Sequence, residues 1–93
     1  MTYEWDDRKR TENLEKHGLD FADADLVYEA DFKVTLFSAP EGRRETRLVD
    51  LAKAGGVVVA LIYTMRGGTV RCISMRRAKR KERRIYDAAL ENR

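Results

Sequence analysis

Two glycine pairs divide the apolar middle of the chain into segments that can pair as antiparallel strands. Gly55-Gly56 and Gly67-Gly68 bracket residues 57–64, which are apolar on both faces and are expected to form the central strand. The segments on either side, between Lys33 and Met75, alternate apolar and polar residues as half-buried strands do. A further turn is predicted at residues 39–42. Short connections favour a four-stranded antiparallel meander.

Helices are predicted at both ends of this meander. Asp6 is a suitable N-cap for a helix over about residues 7–17, and Gly18 can end it in the left-handed conformation. Asp20 begins a second short helix that ends near Ala30. The chain from about Arg77 onward is helical and basic. The short stretch Tyr3-Glu4-Trp5 alternates and is compatible with a short first strand. The predicted class is α+β, with two short N-terminal helices, a four-stranded antiparallel sheet and a C-terminal basic helix.

Length and composition limit what such a fold can do. The 93 residues are expected to form one domain, residues 1–93. One cysteine, Cys72, and one histidine, His17, cannot build a transition-metal site, so neither a metal nor another cofactor is expected. The N-terminus does not resemble a signal peptide, and no apolar stretch approaches the roughly 20 residues of a membrane helix. These features predict a cytoplasmic protein with no membrane partner.

The charge of the chain is strongly polarised along the sequence. Residues 66–84 contain nine Lys or Arg and one acid, whereas residues 1–31 contain four basic and ten acidic residues. Clustered cations favour contact with a polyanion at one end of the molecule. A basic helix face in contact with solvent alone is the alternative.

The one acid in the basic segment lies on the apolar side of the predicted last helix. At 100° per residue, Glu82 falls in the stripe formed by Ala78, Ile85, Tyr86 and Ala89. A buried carboxylate needs a cationic partner, and Arg71 or Arg76 on the preceding strand is the candidate. Strict alternation would put Cys72 and Arg76 on one face of this strand. It would put Arg71 and Met75 on the opposite face. The pair could fix the helix on the sheet, orient an arginine toward phosphate, or do both.

His17 has two interpretations of equal weight. A cationic side chain in the last turn of a helix interacts favourably with the helix dipole. RNA cleavage without a metal, however, needs a group that titrates near neutrality, and histidine is the residue type that does so unperturbed. Tyr63 and Tyr86 could stack on a base, although aromatic residues at such positions more often belong to the core.

Two blocks of the sequence resemble BrnT-type toxins. The first is Trp5-Asp6-x-x-Lys9-x-x-x-Asn13-x-x-Lys16-His17-Gly18, followed by Phe21. The second is Val58-Val59-x-x-Ile62-Tyr63-Thr64-x-Arg66-Gly67, then Val70-Arg71-x-Ile73-Ser74-x-Arg76-Arg77-Ala78 and Glu82. Where the family usually carries an adjacent Glu-Arg pair before its second strand, this chain has Arg44-Glu45-Thr46-Arg47, so nothing catalytic is assigned between about residues 30 and 56.

The resemblance implies a bacterial type II toxin with a RelE-like ribonuclease fold that acts on RNA and halts translation. It also implies a ribbon-helix-helix antitoxin as partner, which covers part of the toxin's basic face and binds the operator DNA of their shared operon. The family motif falls on Lys16, His17, Arg66, Arg71, Ser74, Arg76 and Glu82.

The mechanism expected on this basis is metal-independent transesterification. His17 or Glu82 would be the base, and Arg76 with Arg71 or Arg66 would hold the phosphate, while Lys16 belongs to the same catalytic set. The residues expected to contact RNA are Arg66, Arg77, Lys79, Arg80 and Tyr63. The alternatives are a nucleic-acid-binding module without catalysis and an antitoxin-binding protein whose activity is lost. Growth arrest with RNA loss on expression without a partner would favour the enzyme.

Overall fold

The computed structural model describes residues 1–38 and 46–93, and these form an α+β fold. The elements in chain order are β1 (Thr2–Glu4), α1 (Asp7–His17), a 3-10 turn (Phe21–Asp23), α2 (Asp25–Tyr28), β2 (Val34–Ser38), β3 (Arg47–Ala54), β4 (Val57–Arg66), β5 (Thr69–Arg77) and α3 (Arg80–Glu91). Within these described residues, no helix combines the length and the apolar character needed to cross a membrane.

The strands form a five-stranded sheet in the order β1-β5-β4-β3-β2. The antiparallel meander from β2 to β5 is confirmed, with β4 central and most apolar. The prediction of four strands is wrong, because β1 joins the sheet parallel to β5, with Tyr3 opposite Val70. Three alternating residues are a weak signal for a strand, and their pairing depends on α1 carrying the chain away from the sheet.

Both glycine turns have the backbone conformation that favoured their prediction. Gly55 and Gly56 have φ angles of 62° and 83°, and Gly67 and Gly68 have 54° and 81°. Two successive positive φ angles match the tight hairpin turn that fits the twist of paired strands. The turn predicted at residues 39–42 lies outside the described residues.

The predicted first helix is confirmed, with its ends. The Asp6 carboxylate accepts hydrogen bonds from the backbone N–H groups of Arg8 and Lys9, and Gly18 ends the helix at φ 70°. The second helix is shorter than predicted. Asp20 caps the 3-10 turn by accepting from Ala22 N–H, and the α-helical part that follows has four residues, so the two make a compact bend.

The sheet has a hydrophobic core on each face. The N-terminal helices cover one face, where Phe21 and Val27 pack against Leu61 and other β4 and β5 side chains. On the other face Tyr86 of α3 packs against Leu51 and neighbouring residues. The helix stripe predicted from sequence is confirmed at Tyr86 and wrong at Ile85, which is 36% exposed.

A bulge in β5 changes which side chains share a face. Ser74 pairs with Ile62 and Cys72 pairs with Tyr63, so Ile73 is an extra residue. Met75 therefore packs with Cys72 in the core beneath the N-terminal helices. The strict alternation predicted for this strand is wrong beyond Cys72, because the bulge inserts one residue and reverses the faces that follow.

Candidate active site

Asn13 joins helix α1 to the edge of strand β5. Strand β1 ends at Glu4, opposite Arg71, and α1 covers the next part of this edge. The side-chain amide of Asn13 donates to the Met75 carbonyl (2.8 Å), and its oxygen accepts from the Met75 N–H (3.0 Å). Asn13 also donates to the Leu19 carbonyl (3.0 Å) and is 7% exposed. One side chain thus occupies the place of a neighbouring strand and sets the position of α1.

A groove opens beside Asn13, between α1 and β5. Its lining residues are Lys9, Glu12, Asn13, Lys16, His17, Ile73 and Ser74. Lys16 and His17 follow Asn13 by three and four positions, so they lie on the same side of the helix. The bulge lets the adjacent residues Ile73 and Ser74 both line the groove, and the Ser74 hydroxyl donates to the Asn13 side-chain oxygen (3.3 Å).

The cationic groups of this groove outnumber its acid. Lys9 and Lys16 stand against Glu12. His17 is half-buried at the C-terminal end of α1, where the helix dipole favours positive charge. The groove can therefore hold an anionic group beside a side chain type that exchanges protons near neutral pH.

Of the two arginines predicted as partners of Glu82, Arg71 and Arg76, the structure pairs Glu82 with Arg76. The two guanidinium NH groups of Arg76 donate to the two carboxylate oxygens of Glu82, at 2.7 and 3.0 Å. The side chains are 21% and 15% exposed, respectively. Glu82 also accepts from the Lys79 N–H (2.8 Å), closing the first turn of α3. The Arg76 guanidinium lowers the pKa of Glu82, which is therefore ionised and engaged at both oxygens.

Arg71 lies elsewhere on the same strand. It donates to Glu4 of β1 (3.2 Å), and the two side chains are 28% and 42% exposed. Within the described chain, no hydrogen bond or ion pair joins Arg71 or Arg76 to Lys16 or His17. The structure thus divides the predicted catalytic residues among three places. Lys16 and His17 line the groove, Arg76 pairs with Glu82, and Arg71 pairs with Glu4.

The predicted RNA-binding residues divide into exposed and buried ones. Arg66 is exposed at the turn between β4 and β5, and Arg77, Lys79 and Arg80 are exposed where β5 leads into α3. Tyr63 is 3% exposed, and its hydroxyl donates to Asp50 (3.0 Å). Its prediction as an RNA contact is wrong for this structure, because a ring packed inside the core cannot stack on a base.

Sequence reasoning missed a buried polar cluster around Asp50. This carboxylate is fully buried and accepts from Lys33 (2.7 Å), Thr35 (2.7 Å) and Tyr63. Burial and the Asp50 charge raise the pKa of Tyr63 far above its ordinary value. An acid between Val49 and Leu51 in a predicted strand is the sequence signal that could have found it. All its hydrogen-bonding partners are internal, so the cluster holds β2, β3 and β4 together.

Asn13 was also given no role by sequence reasoning beyond its place in the family pattern. Asparagine is a poor helix former in mid-helix, so its presence there is a signal for a side-chain bond to another element. Cys72 is a core residue, and burial raises the pKa of its thiol to about 11. Within residues 1–38 and 46–93, no three His, Cys, Asp or Glu side chains are grouped as a metal site requires.

These features describe a small α+β protein whose mixed sheet has a cationic groove at one edge and whose last helix begins with exposed basic residues. A comparison with protein families goes further. The family described as "Ribonuclease toxin, BrnT, of type II toxin-antitoxin system" matches residues 5–82. The chain belongs to this family. No curated protein matches the chain. Membership identifies a ribonuclease toxin with a cognate antitoxin and confirms the resemblance noted in the sequence.

Proposed function

We propose that this protein is a metal-independent endoribonuclease that cleaves RNA in the groove between α1 and β5 and so halts translation. The observation that carries the proposal is the placement of His17 and Lys16 in one cationic groove, fixed against β5 by Asn13. Membership in a family of ribonuclease toxins supports the ribonuclease activity in this proposal. The whole chain would act as one RelE-like domain.

The groove residues favour His17 over Glu82 as the base. Both oxygens of Glu82 accept hydrogen bonds from Arg76, and the lowered pKa of Glu82 makes it a weak proton acceptor. In the proposed step, His17 removes the proton of the ribose 2′-hydroxyl, and the 2′-oxygen forms a bond to phosphorus. The bond from phosphorus to the 5′-oxygen breaks, and that oxygen takes a proton from solvent. The products are a 2′,3′-cyclic phosphate and a 5′-hydroxyl.

Cations around the groove would stabilise the charge that develops on the phosphoryl oxygens. Lys16 and Lys9 line the groove. Arg76 is paired with Glu82 and is not part of the groove lining, so in this scheme it would hold a neighbouring phosphate of the bound strand. Glu82 is a positioning residue in this scheme, because it fixes the plane of the Arg76 guanidinium. Arg71 and Arg66 remain candidates for contact with flanking phosphates.

A cleavage assay with defined RNA tests this chemistry. The purified toxin should cleave an all-ribose oligonucleotide equally well with and without a chelator. It should leave intact the same oligonucleotide carrying a single 2′-deoxy nucleotide at the cleaved position, and its products should end in a cyclic phosphate. Loss of activity with the chelator, or cleavage of the deoxy substrate, would contradict the mechanism. Binding without cleavage of either RNA would favour the non-catalytic alternative.

The proposed partner is a ribbon-helix-helix antitoxin that covers part of the basic surface, with operator DNA bound indirectly through it. Membership in a type II system supports the existence of a cognate antitoxin. The exposed cations Arg77, Lys79 and Arg80 would contact RNA and would be screened by the antitoxin. The purified pair should cleave RNA more slowly than the toxin alone, and equal rates would contradict this arrangement. We place both proteins in the cytoplasm.

A further inference from the structure

A second groove lies away from the α1–β5 groove, between the β3–β4 turn and the start of α3. Its lining residues are Gly56, Val57, Val58, Arg77, Ala78 and Arg83. The Ala78 N–H donates to the Val58 carbonyl (2.9 Å), which fixes the chain between β5 and α3 along the edge of this groove. Two arginines from different elements thus line one groove.

The charge around this groove is cationic and uncompensated. Arg77 and Arg83 are exposed, and neither takes part in an ion pair with another described residue. The neighbouring acid, Glu82, is engaged with Arg76. Lys53, also exposed, lies opposite Val58 in the β3–β4 ladder and adds a third cation beside the groove.

The groove is open enough to admit a phosphate group carried on a flexible strand. At Gly56, no atom lies within 4 Å of the position that a Cβ would take, so the turn does not close this side of the groove. Guanidinium groups bind phosphate through paired N–H donors, and backbone phosphates are the repeated anions of RNA.

We infer that this groove binds one phosphodiester group of the RNA strand, as a subsite separate from the groove in which cleavage is proposed. The inference rests on the proposed function in that RNA is the ligand. The subsite would hold a nucleotide that flanks the cleaved position, so it would contribute to the binding of long RNA and leave the chemical step unchanged.

The test measures binding of a non-cleavable 2′-O-methyl RNA oligonucleotide at several salt concentrations, by fluorescence anisotropy. The variants are Arg77→Ala, Arg83→Ala and the double variant, and the control is Arg8→Ala, which removes one exposed charge from α1. Each groove variant should weaken binding about three- to tenfold more than the control. The double variant should reduce the salt slope by about 0.7, the value for one phosphate of a single strand.

Further measurements separate this inference from its alternatives. Arg83→Lys keeps the charge without the planar pair of donors, so it should bind RNA with intermediate affinity while melting at the wild-type temperature. Because the RNA is non-cleavable, these data decide on the subsite whether or not the protein cleaves RNA. Where cleavage occurs, the variants should raise KM for long RNA more than they raise KM for a dinucleotide substrate.

Two results would overturn the inference. One is binding of the 2′-O-methyl RNA by the groove variants with the affinity and salt slope of Arg8→Ala. The other is a loss of affinity for the cognate antitoxin in Arg77→Ala and Arg83→Ala without a loss of RNA affinity, which would assign the groove to an acidic antitoxin segment.

Discussion

Replacing Asn13 with alanine should loosen helix α1 from strand β5. The Asn13 side chain is the partner of both the Met75 N–H and the Met75 carbonyl, and it also binds the Leu19 carbonyl. A buried polar group left without a partner costs about 1–3 kcal/mol. Water in the adjacent groove can replace part of the lost hydrogen bonding, so the full cost is not paid for every group that Asn13 leaves. We expect the substitution to lower the free energy of unfolding by about 2–4 kcal/mol.

Thermal melting measures this effect directly. For a chain of this size each kcal/mol shifts the melting temperature by about 4–8 °C, so a loss of about 2–4 kcal/mol should make Asn13→Ala melt about 8–32 °C below the wild type. Thr11→Ala is the matched control, since the exposed Thr11 hydroxyl bonds only to the Asp7 carbonyl of its own helix. Asn13→Asp should also destabilise, because a carboxylate can accept from Met75 N–H but cannot donate to the two carbonyls. Melting of Asn13→Ala within about 2 °C of the control would refute this account.

Four other substitutions test the carboxylates Glu82 and Asp50, the hydroxyl of Tyr63 and the basic helix. Glu82→Gln should cost about 1–3 kcal/mol at neutral pH, because the Arg76 pair is largely buried. The pKa of Glu82 is lowered by folding, so this contribution is complete above the ordinary value of 4.5 and is lost as pH falls through the folded-state pKa. Urea titrations should show the difference between wild type and variant shrinking in acid; a constant difference would contradict the ion pair. Tyr63→Phe should cost about 1 kcal/mol and leave RNA affinity unchanged. Asp50→Ala should cost about 3–5 kcal/mol, because it removes the shared acceptor of Lys33, Thr35 and Tyr63. Lys81→Ala should weaken RNA binding at low salt without changing the melting temperature, and a change in stability would contradict its exposed position.

The parts of the fold that sequence could predict are those with local signals. Asp6 and Gly18 define α1 because capping geometry depends on neighbouring residues, and Gly55-Gly56 defines its turn for the same reason. The position of β1 could not be predicted, since its pairing with β5 joins residues far apart in the chain. The bulge at Ile73 reversed the predicted faces, because one inserted residue moves every side chain that follows it to the opposite face of the sheet.

The candidate site shows the same division between local and long-range information. The pairing of Glu82 with an arginine followed from helix periodicity and the cost of a buried charge, and the structure selects Arg76. The groove that contains His17 depends on Asn13 reaching Met75, 62 residues away, which no local pattern reveals. Tyr63 was assigned to RNA from its residue type, but its ring packs in the core and its hydroxyl donates to Asp50 on another strand.

The most direct test of the proposed mechanism is the single-turnover cleavage rate of His17→Ala on an RNA oligonucleotide, compared with Arg8→Ala. We expect His17→Ala to cleave at least about 10²-fold more slowly, as loss of a general base does, while melting like the control. The control should cleave at the wild-type rate. Equal single-turnover rates for His17→Ala and Arg8→Ala would contradict the assignment of the base and place the chemistry outside the groove between α1 and β5.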